Sequence, residues 1–179
     1  MNARDAIASQ YHASLEGQGP MRVRTDLQPG DIGSIIRLHG EVYAREYGYD
    51  WTFEGYVAAG LAEFAASPRP SANRLWVVES GEHVVGSIGI VGRDDAEAQL
   101  RWFLVHPDCR GQGLGRTLLD EALRFCRQGG FRSVYLWTVS DLDAAIHLYR
   151  SFGFSRTERK THPLWGRLLT EERYDLALG

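Results

Sequence analysis

Three glycines at alternate positions, in the stretch CRGQGLGRTLL at residues 109–119, constrain the fold of this chain more than any other feature. Gly111, Gly113 and Gly115 follow the apolar run AQLRWFLV and the turn VHPD, and an amphipathic run comes after them. Glycine at this density destabilises regular structure, so the chain needs bare backbone here. A strand that ends in a glycine-rich turn and opens a helix presents several N–H groups in one direction. This arrangement predicts an anion site, most naturally for phosphate.

Two nucleotide-binding patterns fit this loop poorly. The Walker pattern ends in Gly-Lys-Ser/Thr, whereas Gly115 is followed by Arg116 and Thr117. The dinucleotide fingerprint GxGxxG stands near the start of a βαβ unit, whereas these glycines run GxGxG after four predicted strands. A purely structural interpretation also stays open, in which Gly113 and Gly115 only allow the helix to pack closely against the strand.

Hydrophobic periodicity predicts seven strands and four helices. The strands are MRVRTDL, NRLWVVES, HVVGSIGIVG, AQLRWFLV, RSVYLWTV, FSRTERK and RYDLAL. The helices are IGSIIRLHGEVYAREYG with Asp31 as its N-cap, residues 53–65, residues 114–127 and DLDAAIHLYRSFG. Gly81 and Glu82 join the second and third strands as a hairpin. The order β-α-α-β-β-β-α-β-α-β-β predicts a mixed sheet with crossover helices in its second half, hence an α/β (α+β) fold.

Length and composition fit one globular domain. The chain has 179 residues, of which 44% are hydrophobic and 24% charged, so we predict a flexible N-terminal arm at 1–20 and a single domain at 21–179. The net charge of -3 provides no general attraction to nucleic acid or to an anionic membrane. No apolar run approaches the roughly 18 residues of a membrane span, and the N-terminus does not read as a signal peptide. We therefore expect a cytoplasmic protein.

Cysteines and histidines indicate neither a disulfide framework nor a metal. Cys109 and Cys126 are the only cysteines, and we interpret the first as a loop residue and the second as a core residue. The six histidines show no paired ligand spacing such as HExxH, so the sequence predicts no metal.

A second motif, AAIHLYRSFGF, begins about thirty residues after the glycine loop and helps to interpret that loop. Together the two stretches resemble the GCN5-related N-acetyltransferase (GNAT) family. Its first signature, Gln/Arg-x-x-Gly-x-Gly/Ala, is matched by Arg110, Gly113 and Gly115. Its second signature, a Leu-Tyr pair before Gly-Phe, is matched by Leu148, Tyr149, Gly153 and Phe154. The predicted element order also agrees with the fold of that family.

Two longer stretches, HGEVYAREYGYDWTFE and LWTVSDLDAAIHLYRSFGF, are similar to the acetyltransferase half of bacterial proteins that fuse it to a winged-helix MarR-type DNA-binding domain. Twenty leading residues cannot form such a domain, so we expect the DNA-binding half to be absent.

The resemblance implies acetyl-CoA as co-substrate. Residues 103–105 of the strand before the loop would pair with the pantetheine arm, and the loop amides would hold the pyrophosphate. The implied cofactor-binding residues are Phe103, Leu104, Val105, Arg110, Gly111, Gln112, Gly113, Leu114, Gly115, Arg116, Thr117, Ser140 and Tyr149. The family strand carries a bulge that neither periodicity nor composition shows here. Leu142 departs from the family pattern, which often has asparagine seven residues before the tyrosine.

The resemblance implies aminolysis of a thioester. An amine with a reference pKa near 10.4 must lose a proton before it attacks, so a base or a water path is needed. By similarity Tyr149 protonates the leaving thiolate, although a core role with a satisfied hydroxyl stays open. For the base we name Glu97, the nearest acid on the strand before the loop, with Glu46 and Glu41 as rivals.

The acceptor site is predicted between the first two helices, where EVYAREYGYDWTFEGY places aromatic rings among carboxylates. Such a mixture suits a cationic amine, and we name Glu46, Tyr47 and Trp51 as substrate-binding residues. The alternative is that half of these rings are core and the acids are solvated. His162 and Trp165, between the last two predicted strands, are expected to close the same pocket.

The sequence therefore predicts an N-acetyltransferase that transfers the acetyl group from acetyl-CoA to a primary amine of a small molecule, peptide or protein, by direct attack in a ternary complex. The alternative is an acyl-CoA-binding sensor or interaction module without useful turnover. No nucleic-acid or membrane partner is expected, and a homodimer stays possible.

Overall fold

The computed structural model describes residues 20–179 as one mixed sheet with helices on both faces. The strands are β1 (Arg22–Arg24), β2 (Asn73–Ser80), β3 (His83–Gly92), β4 (Glu97–Val105), β5 (Ser133–Val139), β6 (Ser155–Leu164) and β7 (Arg167–Ala177). The helices are α1 (Asp31–Tyr47), α2 (Trp51–Ala66), α3 (Leu114–Gln128) and α4 (Asp143–Ser151). The element order is the one that periodicity predicts, so the α/β prediction is confirmed. Of the predicted arm at 1–20, all but residue 20 lies outside the described residues.

The seven strands lie in the order β1-β2-β3-β4-β5-β7-β6. Only β4 and β5 are parallel neighbours, and every other adjacent pair is antiparallel. Helices α1 and α2 bury Ile35 and Phe53 against one face of the sheet, and α3 and α4 bury Leu118 and Ile146 against the other. Among residues 20–179, no helix is long and apolar enough to cross a membrane.

Two predicted details of the elements are wrong. Asp31 is not the N-cap of α1, because Gly30, with φ 100°, precedes the helix and Asp31 is its first residue. Its buried carboxylate instead pairs with Arg24 of β1 at 2.6 Å, which holds its pKa below the usual value. The last two strands are also longer than predicted, so His162 lies within β6, and the turn between β6 and β7 contains Trp165.

The feature of the sheet that positions the site is a distortion in β4. Its register against β3 shifts between Ser87 and Gly89, and Trp102 has a positive φ of 48°. The Ser87 hydroxyl donates a 2.6 Å hydrogen bond to the carbonyl of Trp102. On the other side, β4 pairs with β5 only over Glu97, Ala98 and Gln99. Beyond Gln99 the two strands diverge, so the backbone of residues 103–105 has no strand partner on the β5 side.

Candidate active site

The glycine loop sits where β4 ends and α3 begins. A 3₁₀ turn, Pro107–Cys109, follows the strand, and Gly113 caps the N-terminus of α3. Gly111 and Gly113 have φ values of 78° and 80°, a left-handed conformation that favours glycine, and a Cβ at either position would meet no heavy atom within 4 Å. The first amides of a helix have no partner within the helix. The first amides of α3 therefore lack a partner within the helix, beside the open space at Gly111 and Gly113.

A groove of about 350 Å³, the donor groove, runs from this loop along the diverging end of β4. Nine of the predicted cofactor-binding residues line it: Phe103, Leu104, Val105, Arg110, Gly111, Gly113, Leu114, Gly115 and Arg116. Gln112, Thr117, Ser140 and Tyr149 do not line it, and the Ser140 hydroxyl contacts the Asp141 carboxylate at 3.2 Å. Leu142, the departure from the family pattern, is also in its wall.

Arg110 connects the loop to α1. Its two terminal guanidinium nitrogens bind both carboxylate oxygens of Glu46, at 2.9 and 3.0 Å, and its Nε donates to the Val105 carbonyl at 2.9 Å. Glu46, predicted to contact the acceptor, therefore pairs with the donor loop. Tyr47, its predicted neighbour in the acceptor site, lines the donor groove.

A second cavity, of about 120 Å³, opens against the donor groove; we call it the acceptor cavity. The two share four lining residues, Tyr43, Phe103, Leu142 and Ala145. Its aromatic wall joins the first two helices to the β6–β7 turn, with ring centroids 4.5 Å apart for Tyr43 and Phe53 and 4.8 Å apart for Phe53 and Trp165. Rings from the first two helices therefore line this cavity together with Trp165, whereas Glu46, Tyr47 and Trp51 do not, and an acceptor site here stays a prediction.

Tyr149 of α4 lines the acceptor cavity next to the shared residues. Its side chain is buried, and its ring lies 6.1 Å from Phe103 and 5.9 Å from Phe154. Burial raises the pKa of Tyr149 above its ordinary value, so the hydroxyl keeps its proton throughout the neutral range. Tyr149 therefore carries a protonated hydroxyl, and its role as the proton donor stays a sequence prediction.

Ionisable side chains that the sequence argument did not select also line the acceptor cavity: His39, Arg101 and Glu171. His39 is buried, and burial lowers its pKa to about 4. Because the Ile35 carbonyl, 2.8 Å from Nδ1, can only accept, Nδ1 carries the proton and Nε2 is the acceptor nitrogen. Glu171 of β7 lies 2.7 Å from the Nε2 atom of His162, which connects the cavity to a partly exposed imidazole.

Glu46 and His162 line neither cavity, and the same is true of three more predicted residues. Glu97, named as the base, forms an ion pair with Arg173 of β7 at 3.1 Å. Glu41 pairs with Arg37 at 2.8 Å on α1. Trp51, at the first position of α2, is 81% exposed. The structure therefore does not bring these side chains to the cavities, and their proposed roles stay sequence predictions.

Neither cysteine is placed as a nucleophile. Burial raises the pKa of Cys109, and it raises the pKa of Cys126 to about 12. Cys126 is buried on the apolar face of α3. Within the described part of the chain, residues 20–179, no three His, Cys, Asp or Glu side chains cluster closely enough to hold a metal ion.

Comparison with known proteins identifies the family. Residues 39–154 match the family model described as the acetyltransferase (GNAT) family. The chain belongs to this family. The uncharacterized N-acetyltransferase YjgM of Escherichia coli is 35% identical over 152 residues, which cover 81% of this chain and 87% of YjgM. Human N-acetyltransferase 8B is 37% identical over 100 residues, 53% of this chain and 44% of that protein. The chain spans about half the length of the first curated relatives it matches.

Solved structures of this family have the same fold. The acetyltransferase yncA of Salmonella typhimurium, solved with its cofactor acetyl-CoA, superposes with a TM-score of 0.68 at 20% identity, covering 90% of this chain and 95% of that one. A GNAT acetyltransferase of Staphylococcus aureus Mu50 gives a TM-score of 0.72 at 18% identity, covering 89% and 100%. At these identities the likeness concerns the fold.

Proposed function

We propose that this chain is an N-acetyltransferase that moves an acetyl group from acetyl-CoA to a primary amine by direct attack in a ternary complex. The observation that carries the proposal is that the donor groove and the acceptor cavity meet at shared residues, with Tyr149 beside them. Two substrates bound in these spaces would touch without a covalent enzyme intermediate. Membership of the GNAT family and the acetyl-CoA bound to yncA support acetyl-CoA as the donor.

The donor groove supplies two kinds of backbone recognition. At one end, the amides of the loop and the first turn of α3 suit a pyrophosphate, with the Arg116 side chain beside them. Along the groove, the diverging backbone of residues 103–105 offers hydrogen-bonding groups to an extended amide chain such as pantetheine, as an added strand does. The same edge provides N–H groups for the negative charge that develops on the thioester oxygen.

In the proposed reaction the amine nitrogen attacks the thioester carbon, the C–S bond breaks, and Tyr149 gives a proton to the leaving thiolate. Tyr149 regains a proton from water when the products leave. Among the described residues, Glu171 is the one carboxylic acid that lines the cavity, so we assign it the proton that the amine releases. His162, bonded to Glu171, then passes this proton toward solvent. Glu171 replaces Glu97 in this scheme because Glu97 is paired with Arg173 outside the cavity.

A cytoplasmic location, a relationship to the acetyltransferase half of bacterial MarR-type fusions and a possible homodimer complete the proposal, and these rest on the sequence alone. The proposed function is tested by measuring acetyl-CoA binding by calorimetry and thiol release with a panel of amino acids, small amines and peptides. We expect tight binding and release that one acceptor class accelerates. Binding without acceleration by any acceptor would favour the sensor function instead.

Gly113→Ala should weaken acetyl-CoA binding by about 10-fold, because a methyl group at the mouth of the loop keeps a phosphate off the amides whose charge-assisted hydrogen bonds hold it. Gly130→Ala is a matched control at the other end of α3, since Gly130 has the same φ of 80° and equally open surroundings. Both variants should lose about 1 kcal/mol of unfolding free energy from the left-handed backbone. Equal losses of acetyl-CoA affinity in the two variants would contradict the role of the loop.

A further inference from the structure

Arg101 of β4 brings a positive charge to the wall that the acceptor cavity shares with the hollow beside it. Its guanidinium carbon lies 4.7 Å from the ring centroid of Trp102 and 5.7 Å from that of Tyr56. A Cβ on Gly60 of α2 would come within 2.6 Å of a guanidinium nitrogen, so glycine leaves the space that the guanidinium fills. Among residues 20–179, no Asp or Glu oxygen lies within 4.0 Å of this group, and Glu63 in the adjoining hollow is no exception. The two rings hold the guanidinium in place, and none of the carboxylates in residues 20–179 forms an ion pair with it.

Two more hydrogen-bond donors in the same wall are buried and unused. Within the described residues, the Tyr49 hydroxyl and the Trp102 Nε1 atom are the buried side-chain polar atoms with no hydrogen-bond partner. Tyr49 is 4% exposed and Trp102 is 7% exposed, and both line the acceptor cavity. Buried polar groups in proteins are nearly always bonded, so unpaired ones beside a cavity mark where a bound molecule, water or ligand, completes them. Arg101 lines the same cavity, and Arg101 and Trp102 also line the hollow next to it.

The cavity also has an anionic side, formed by Glu171 with His162. His39 adds no charge there at neutral pH, because burial lowers its pKa to about 4. A substrate in this space therefore meets a cation and hydrogen-bond donors on one wall and a carboxylate on another, separated by aromatic rings. A molecule that carries both an amine and a carboxylate complements this distribution.

We propose that the acceptor is a free amino acid, whose carboxylate binds Arg101 together with the Trp102 and Tyr49 donors, and whose amine faces Glu171. The inference rests on the proposed function and names the substrate class of the same site. The cavity volume of about 120 Å³ suits a small molecule rather than a folded polypeptide. Its aromatic wall suits an apolar side chain on that amino acid.

The test compares L-amino acids with their carboxamides, which keep the amine and side chain and lose the negative charge. The protein is saturated with coenzyme A and titrated with phenylalanine, leucine or methionine, or with the amide of each. Binding is followed by tryptophan fluorescence. In parallel, kcat/KM is measured for thiol release from acetyl-CoA. In the unmodified protein we expect each acid to exceed its amide by about 10-fold or more in both readouts, the usual size of a charge-assisted hydrogen-bond effect.

Arg101→Met should remove this preference by weakening the acids and leaving the amides within about 2-fold, while Arg101→Lys should keep part of it, because lysine retains the charge without the planar donor fork. Arg74→Met is the matched control. Arg74 also lies over an aromatic ring, 4.4 Å from the centroid of Phe125, and lines neither cavity. Arg74→Met should keep the same preference for acids over amides as the unmodified protein. Calorimetry with acetyl-CoA checks that each variant retains its donor site.

The two proposals fail in different ways. If acids bind with the expected preference but never accelerate thiol release, the acetyltransferase proposal fails and the amino-acid site stands. If amines without a carboxylate bind and react as well as the acids, the enzyme stands and the amino-acid inference is overturned. The inference is likewise overturned if no acid binds, or if Arg101→Met weakens acids and amides equally.

Discussion

Tyr149→Phe should lower kcat by about 100-fold, the lower end of what a positioned general acid contributes. In the proposed reaction the hydroxyl gives its proton to the leaving thiolate, and burial raises its pKa, so it is protonated when that step begins. Phenylalanine keeps the ring and its contacts with Phe103 and Phe154. Because the donor groove is otherwise untouched, the dissociation constant for acetyl-CoA should stay within about 2-fold. Steady-state kinetics and calorimetry measure the two quantities separately.

Tyr135→Phe provides the control for this substitution. Tyr135 is a partly buried tyrosine of β5 whose ring lies under Arg173, outside both cavities. Removing the Tyr135 hydroxyl should leave kcat unchanged. If Tyr149→Phe also left kcat unchanged, Tyr149 would be a core residue and the thiolate would take its proton from elsewhere. If it abolished acetyl-CoA binding, its effect would be structural.

His39 should make the fold sensitive to mild acid. Its pKa falls from 6.5 to about 4 on folding, so the unfolded chain binds the proton more readily than the native protein between those values. The stabilisation is therefore fully present above pH 6.5 and is lost as the pH falls toward 4, with a total of about 3 kcal/mol for a shift of this size. Urea unfolding at a series of pH values measures this loss directly.

His39→Gln should flatten this dependence between pH 6.5 and 4.5, because a glutamine amide can still donate to the Ile35 carbonyl and does not titrate. The slope is the informative quantity, since the substitution also changes the packing against Tyr43. His147→Gln is the control, because His147 lies on the exposed side of α4. This variant keeps His39 and should therefore still lose stability as the pH falls toward 4. Asp31 and Asp175 have pKa values held below the ordinary 3.8 by Arg24 and Arg173, so their contributions disappear at lower pH. An unchanged slope in His39→Gln would show that His39 is not the titrating group.

Local sequence predicted most of the residues that surround the groove at the glycine loop, since they are close together in the chain. The run from β4 through the glycine loop to α3 is continuous, and most of its named residues line the groove. Gln112 and Thr117 belong to the same run and do not line the groove. Membership of a motif does not tell which side of a loop a side chain occupies.

The acceptor side could not be predicted in the same way, because distant strands build it. Glu171 reaches the cavity through the pairing of β7 with β5, where it lies opposite Val139, and nothing near it in sequence marks that register. Glu97 was the nearer acid along the chain, yet β7 also brings Arg173 to it. The exposure of Trp51 was not predicted either, although it depends only on where α2 begins. α2 begins two residues earlier than periodicity predicts, and Trp51 at its first position lies in solvent while Phe53 is buried.

The divergence of β4 from β5 means that, before any substrate arrives, the sheet lacks hydrogen bonds in its middle. A bound pantetheine would act there as a short extra strand, and would thereby be part of what holds the two halves of the protein together. By mass action a ligand present at about 100 times its dissociation constant adds about 2.7 kcal/mol to the free energy of unfolding. The melting temperature of the protein should therefore rise with the concentration of acetyl-CoA, and the resistance of this chain to unfolding becomes a measure of how much donor surrounds it.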